Sequence, residues 1–527
     1  MVMKRILTLL LNAIVLFGFA APTDTIPRLM PPRPPQNFHL APHIHLNRNE
    51  QMMLTNLAIF IRFADDEEFT ESFGSINEMF NDTTPYGISV YNYYNVMTYG
   101  KINYHTVYTN NIHDTAIISF QDSHPRGYYQ PQRPNNPEGY SGSGTARLRE
   151  RELLTSVIEY VDSLHLVDDN INLDGNNDGK IDNISFIIKG DVDNWEDLLW
   201  PHMDFFLQLP TSPVGINGKL LNAYNFEFAN SSYYFTASTF CHEMGHSLGL
   251  PDLYHYYNYP YIYPVFYWDI MGQNDMQQVS AIIKYKFLGV IDEPVEITED
   301  GHYVLNSLTS SDQNNCYFIR SSVDPNQWFT IEYRNSDDFM ETVPHSGVII
   351  GRWYDNANLD ALYEAGNALF NNTTIPHSYW VFRPNSSDDI TNGRVNEAAF
   401  GYNNRTSFGP STNPHPYLTD GTPETSFEIT NIQYYGDQAS FDVQFLHNGI
   451  PTYEKKNAII YPNPVHSELN ISLDNVNRVE ICDLLGRVIL SETHPDPEIN
   501  VSSLQQGVYF VKIFTDNECY SEKFIKQ

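Results

Sequence analysis

His242-Glu243-Met244-Gly245-His246-Ser247-Leu248-Gly249-Leu250-Pro251-Asp252 decides how this chain is read. Residues four apart share one face of a helix, so the imidazoles of His242 and His246 can meet at a single metal ion. Glu243 lies between them and reaches toward the same point, where a carboxylate can serve as general base toward an activated water. Gly249 suits the left-handed turn that ends a helix, and the reversal brings Asp252 back as a third ligand, the alternative being a carboxylate that caps or orients. Two imidazoles and a carboxylate suit zinc. Three protein ligands leave its fourth position open, which is the arrangement of a catalytic rather than a structural site. The competing reading is an amphipathic helix carrying two hydrogen-bonded histidines. Gly249 and Asp252, at fixed offsets, weigh against it.

Upstream, Asp174-x-Asn176-x-Asp178-Gly179-Lys180-Ile181-Asp182 repeats the first nine positions of an EF-hand-type calcium loop. Side-chain oxygens at alternate positions, with the Lys180 carbonyl, can converge on one calcium, and the glycine permits the bend. Ser185 stands where the twelfth-position glutamate would be, so this is not a full EF-hand. The alternative is an ordinary Asp/Asn/Gly turn leading into a strand.

Around these motifs the periodicity places a buried strand at Leu57 to Phe63, a helix at Ser89 to Asn95 and a turn into a strand at Thr98 to Ile102. An amphipathic helix is expected at Arg147 to Leu164, a core strand at Ile184 to Ile188, the metal helix at about Ala237 to Leu248 and a last helix at Met276 to Leu288. Strands alternating with long helices indicate an α/β layered domain. From about Pro294 to Leu446 short alternating runs take over, at Trp328 to Tyr333, Gly347 to Trp353, Ser378 to Phe382 and Ser440 to Phe445, and indicate a β-sandwich. A final module alternates as strands at Leu469 to Leu473, Arg478 to Cys482, Val488 to Leu490 and Val508 to Phe514.

At 527 residues the chain exceeds a single core and suggests about three domains. Its 30 basic and 64 acidic residues give a formal net charge of −34, which argues against nucleic acid or an anionic membrane as partner. Lys4 and Arg5 precede an apolar run, Ile6 to Phe19, too short to span a bilayer. With the small residues Gly18 and Ala20 they read as a secretory signal, and no later stretch is long and apolar enough to span. Pro31-Pro32-Arg33-Pro34-Pro35 favours an extended linker or short pro-segment, and His43 and His45 sit in it. Of the 4 cysteines, Cys482 and Cys519 share the last module and could pair, which spacing alone does not prove. Cys241 precedes the first metal histidine but points elsewhere on the helix, as a core residue. The 7 tyrosines from Tyr254 to Tyr267 are expected to pack the wall beneath the metal, and His202 reads as a structural histidine.

Trp268-Asp269-Ile270-Met271-Gly272 resembles the methionine turn under the metal of metzincin-type proteases. With the zinc string, the calcium-like loop and Ser89-Val90-x-x-Tyr93-Tyr94-x-x-x-Thr98-Tyr99-Gly100-Lys101, the region resembles the immune inhibitor A family of secreted bacterial metalloproteases. Trp200-Pro201-His202 and Phe329-Thr330-Ile331-Glu332-Tyr333-Arg334 are similar to further segments of that family. The resemblance covers roughly Asn56 to Leu446. It implies a metzincin-like protease backed by a β-sandwich, with His242, His246 and Asp252 as zinc ligands and Glu243 as base. The N-terminal pro-region is much shorter here. The tail, with Tyr461-Pro462-Asn463-Pro464-Val465, Asp483-x-x-Gly486-Arg487-Val488, Gly507-Val508-Tyr509-Phe510-Val511 and Lys523-Phe524-Ile525-Lys526, resembles the sorting domain of type IX secretion. That resemblance implies a Bacteroidetes source and passage through the type IX secretion machinery to the surface or medium.

The expectation is therefore an α+β multidomain chain. It would comprise a signal peptide (1–20), a proline-rich linker or pro-segment (21–51), a metzincin-like α/β zinc protease domain (52–292), a β-sandwich (293–447), a linker (448–458) and a small Ig-like β-sandwich as sorting domain (459–527). The function expected is a secreted zinc endopeptidase acting on protein or peptide substrates, with catalytic zinc and structural calcium. The rival is a surface adhesin or binding protein on an inactive protease scaffold.

Overall fold

The computed structural model describes residues 51–527, apart from 111, 113–115, 195–196, 207–211, 231–233, 255–261, 356–376, 388–391, 447–458, 474, 485 and 516–518. The expected signal peptide, the proline-rich segment with His43 and His45, the linker at 448–458, His255 and the tyrosines between 255 and 261 fall outside the described residues. The fold is mixed α/β, with many sheets and few helices. It divides into one compact unit ending at Leu446 and a second beginning at His447.

Strands β1 (Met52–Arg62), β2 (Ile102–Tyr108), β3 (Phe120–Gln121), β4 (Asn183–Ile188), β5 (His202–Phe205) and β8 (Ala223–Phe228) form the first sheet, and β6 (Gly215–Ile216) and β7 (Lys219–Leu220) a small hairpin beside it. The order is β2-β1-β4-β8-β5, with β3 also on β1. All pairs are parallel except β5, which runs antiparallel at the edge. Parallel strands covered on both faces need apolar side chains on both, and β1 supplies them. Leu54, Ala58 and Phe60 enter one core while Leu57, Ile59 and Ile61 enter another. Helix α3 (Ser143–Ser163) covers the second face with Leu153, Leu154, Val157, Ile158 and Val161. It begins a turn before the expected Arg147, because Gly142 opens it at φ 81.

Helices α1 (Phe73–Asn81), α2 (Val90–Met97) and α4 (Ala237–Ser247) cover the first face. Ser89 caps α2 by accepting from the N–H of Asn92, worth roughly 1 kcal/mol. Tyr94 on α2 donates its hydroxyl to the Cys241 carbonyl at 2.7 Å, so the aromatic segment braces α4. The helix expected from Met276 starts only at α5 (Ala281–Ile283) and continues as a π-turn over Lys284–Leu288. Residues 276–280 stay out of helix because Met276 sits at φ 64 and the Ser280 N–H is taken by the Asp269 carboxylate at 2.7 Å.

Strands β9 (Val295–Glu296), β10 (Gly301–Asn306), β11 (Cys316–Arg320), β12 (Gln327–Arg334), β13 (Gly347–Tyr354), β14 (Tyr379–Val381), β15 (Phe427–Tyr435) and β16 (Gln438–Phe445) follow. They make a sheet ordered β14-β13-β12-β11-β9 and a second ordered β10-β16-β15. Both sheets feed one core, with Phe329, Ile331 and Ile350 from the first and Leu305, Phe427 and Phe441 from the second. The other face of β12 and β13, through Trp328 and Ile349, joins the core that holds α4. The position 292/293 is therefore no gap between cores.

The second unit has strands β17 (Ile459–Tyr461), β18 (Glu468–Ser472), β19 (Arg478–Cys482), β20 (Val488–Thr493), β21 (Glu498–Asn500), β22 (Gly507–Phe514) and β23 (Cys519–Lys526), in sheets β17-β18-β21 and β20-β19-β22-β23. Leu469, Val479, Ile481, Ile499, Val511 and Phe524 make its core. The Cys482–Cys519 pairing does not form, and Cys482 is a free buried thiol. Strand β22 lies between the two cysteines, opposing Cys482 with Phe510 and Cys519 with Phe514. Two strand spacings put their Cα atoms roughly 9 Å apart before the offset along the strands is added, beyond disulfide reach.

Candidate metal centre

Helix α4 opens on Thr236, whose hydroxyl accepts from the N–H of Thr239. At its other end Gly249 takes φ 91, and the Leu250 N–H donates back to the Gly245 carbonyl at 3.1 Å. The Leu250 carbonyl then accepts from Nδ1 of His246 at 2.7 Å, while Nδ1 of His242 donates to the Ile270 carbonyl at 2.9 Å. A carbonyl only accepts, so both rings hold their proton on Nδ1 and turn the Nε2 lone pair inward. Asp252 Oδ1 stands 3.2 Å from His242 Nε2 and 3.3 Å from His246 Nε2. All three side chains are buried, and they form the single candidate metal-binding group of His, Cys, Asp and Glu among the described residues.

These distances fit zinc. Donor atoms about 2.0–2.1 Å from one ion at tetrahedral angles stand about 3.3 Å apart. Three acceptors this close repel one another without a cation or a shared proton, and His242 Nε2 makes no hydrogen bond of acceptable geometry. Burial opposes ionisation of Asp252, but in the chain without metal the charge that His246 gains on protonation, with hydrogen bonds from the His242 and His246 rings, outweighs it and holds this carboxyl well below its usual range; a metal ion would take the place of those protons.

Glu243 is buried, with Oε1 4.0 Å from His242 Nε2 and without a hydrogen-bond partner. Burial raises its pKa to about 7, Asp252 adds to the rise, and His242 and the Met203 N–H oppose it. That range is where a general base must sit to accept and return a proton near neutral pH.

Below α4 the sheet face is polar. Asn183 donates to Asn56 at 2.8 Å and to Asn225 at 2.6 Å, and Ser247 at the end of α4 donates to Asn183 at 2.8 Å. Glu227 on β8 is fully buried beside Glu243, and neither of its oxygens has a hydrogen-bond partner. Burial, and then the Glu243 charge, push its pKa far up, so it is a neutral acid. Sequence reasoning missed it. The alternation Ala223-Tyr224-Asn225-Phe226-Glu227-Phe228 held the signal, with polar residues at every second position facing α4. His202 bonds Glu150 at 3.1 Å and the Trp200 carbonyl at 2.7 Å, a structural setting as expected, yet it also contributes to the field at Glu243. Of the expected tyrosine wall, Tyr254 lies along the His242 ring at 6.2 Å.

The calcium-like loop is arranged differently from the zinc group. Asp174 accepts from the N–H groups of Asp178 and Gly179 and from Lys219 Nζ at 2.5 Å. Asn176 and Asp178 each accept from backbone N–H groups within the loop, at 3.0 and 2.9 Å. Asp182 turns its carboxylate to the N–H groups of Thr55 and Gly175, and its burial raises it to about 6. The ammonium of Lys219 stands against Asp174, the first oxygen position of the calcium-like pattern.

Comparison with known proteins bears on the other end of the chain. The model of a secretion system C-terminal sorting domain matches residues 459–527. An ulvan lyase of Nonlabens ulvanivorans is 25% identical over 108 residues, which is 19% of this chain and 20% of the lyase. Among solved structures, PorZ is a surface component of the type IX secretion system of Porphyromonas gingivalis. It aligns at 12% identity and a TM-score of 0.13, over 42% of this chain and 32% of its own. The chain thus spans about a fifth of the lyase and about a third of PorZ. The class is set by the tail: this is a protein bearing a C-terminal sorting domain for secretion. More particularly, the tail marks it as cargo of the Bacteroidetes type IX machinery, delivered to the cell surface or the medium. Among the described residues no helix is long and apolar enough to cross a membrane.

Proposed function

We propose that this secreted chain is a zinc-dependent endopeptidase of the immune inhibitor A type, with a metzincin-like domain ending near residue 292 backed by a β-sandwich. The observation that carries the reading is the convergence of His242 Nε2, His246 Nε2 and Asp252 Oδ1 on one buried point, with Glu243 beside it. The Ile270 and Leu250 carbonyls fix the tautomer of each imidazole, as the outer contacts of metal-binding histidines do. Zinc held there would supply a Lewis acid that polarises a peptide carbonyl and lowers the pKa of water. Glu243, beside the ligands but not one of them, takes a proton from the attacking water at its free Oε1 and returns it to the leaving amine. The substrates proposed are proteins or peptides.

The proposal extends to calcium at the 174–182 loop, where the ion would compete with Lys219 for Asp174. The test of the main reading is metal content and casein hydrolysis by the purified chain. We expect about one zinc per chain and an activity removed by phenanthroline and restored by zinc. Zinc without hydrolysis would leave the rival, a binding protein on a protease scaffold; no zinc at all would sink the site.

A further inference from the structure

The metal ligands lie within residues 242–252, but what holds them lies elsewhere. In the turn at 268–272 four successive residues are each fixed. The Trp268 carbonyl accepts from Arg334 Nη1. The Asp269 carboxylate accepts the N–H groups of Met271 at 2.9 Å and Ser280 at 2.7 Å. The Ile270 carbonyl takes Nδ1 of His242 at 2.9 Å, and the Met271 carbonyl takes the N–H of Leu253, next to Asp252, at 2.8 Å. The turn therefore grips two of the three ligand segments. It also packs on α4 so closely that a Cβ on Gly245 would come within 3.2 Å of Met271 Sδ.

Arg334, at the end of β12, is fully buried. Besides Trp268 its guanidinium donates to the Gln278 carbonyl at 3.0 Å, to Glu341 at 2.5 Å and to Glu332 at 3.1 Å. Glu332 in turn accepts the Ala281 N–H at 2.7 Å. A buried charge is retained at this cost only with its full set of partners, and the planar fork reaches several at once where a lysine ammonium is a single point. The fork bridges the two ends of the segment 268–281, at Trp268 directly and at Ala281 through Glu332.

We infer that Arg334 is a positioning residue for the metal centre, aligning His242 and the Asp252 segment by clamping the turn at 268–272 from β12. The inference rests on the zinc reading for its purpose, but the clamp can be measured without metal. Groups bonded directly to metal ligands change metal affinity by about 10–100-fold, and a clamp one step further out should act at the lower end of that range.

The experiment compares Arg334→Lys and the milder Glu332→Gln with Phe408→Leu, a change in the separate core of the two later sheets. Zinc affinity is read by competition with a chromophoric chelator, and hydrogen exchange at the Leu253 and Met271 amides is read on the metal-free chain. Arg334→Lys should weaken zinc binding by about 10-fold and speed exchange at both amides. Glu332→Gln should do the same to a smaller degree, and it carries the test alone if Arg334→Lys fails to fold. Phe408→Leu should lower the melting temperature and leave both readouts unchanged. Wild-type affinity and exchange in both clamp variants would overturn the positioning role. If the wild-type chain takes up no zinc, the metal reading fails instead, and the exchange comparison still decides whether the clamp exists.

Discussion

Replacing Glu243 by glutamine keeps the side chain's shape and removes its ability to ionise. Two effects of opposite sign should follow. Loss of the general base should reduce hydrolysis by about 100- to 10,000-fold with zinc still bound, because Glu243 is not a ligand. The stability of the metal-free chain should rise at neutral and alkaline pH. The folded-state pKa of about 7 exceeds the ordinary 4.5, because burial penalises the carboxylate. The folded chain therefore holds a proton that the unfolded chain has released, and wild-type stability falls as pH climbs from 4.5 to 7. The full difference amounts to about 3 kcal/mol above pH 7 and vanishes below 4.5. Glutamine has no such slope and can still accept from the Met203 N–H. Urea melts of the metal-free proteins at pH 4.5 and pH 8.5, beside peptide hydrolysis by the zinc-loaded ones, test both halves. Undiminished turnover would refute Glu243 as base. A variant less stable than wild type at pH 8.5 would refute the buried, proton-holding carboxyl.

Three further outcomes follow from the same geometry. Asp252→Asn removes the charged ligand while leaving both histidines anchored at Nδ1, so zinc affinity measured by chelator competition should drop at least about 10-fold; an unchanged value would make Asp252 an orienting group. Lys219→Met frees Asp174 of its built-in cation, so calorimetry should find calcium bound more tightly than in wild type. No calcium binding by either protein would leave the 174–182 loop a turn closed by lysine. Deleting 459–527 removes a unit with its own core, so the truncated chain should stay folded but accumulate in the periplasm; normal export without the tail would contradict its sorting role.

What could be read in the sequence was what neighbours in the chain decide. The spacing of His242, Glu243 and His246, the left-handed Gly249 and the returning Asp252 all lie within one helix and its turn, so helical geometry alone brought them together. The apolar run of β1, the aromatic α2 with its Ser89 cap and the tail's alternating strands are local in the same way. The later start of α5 was not legible, because what keeps residues 276–280 out of helix is Asp269 taking the Ser280 N–H, a contact no periodicity reports.

The calcium loop shows the same boundary from the other side. Its spacing is regular, yet the cation beside Asp174 comes from Lys219, on a hairpin 45 residues away. Glu227 stands beside Glu243 but comes from β8, outside the motif, and Arg334 lies 66 residues beyond the Trp268 carbonyl it holds. Each is an ionisable group whose surroundings only the fold supplies, and burial makes such surroundings decide its charge. Ligands can be recognised as a string because a helix lays them side by side. The groups that tune and brace them come from β8 and β12, so the chemistry of the centre depends on both halves of the unit that ends at Leu446. A fragment ending near residue 292 would keep every residue of the zinc motif and lose Arg334, Glu332 and Glu341. It would also strip Trp328, Ile349 and Trp353 from the core that packs α4. Such a fragment should bind zinc more weakly than the chain ending at Leu446, and equal affinity would show that the metal centre stands without its second half.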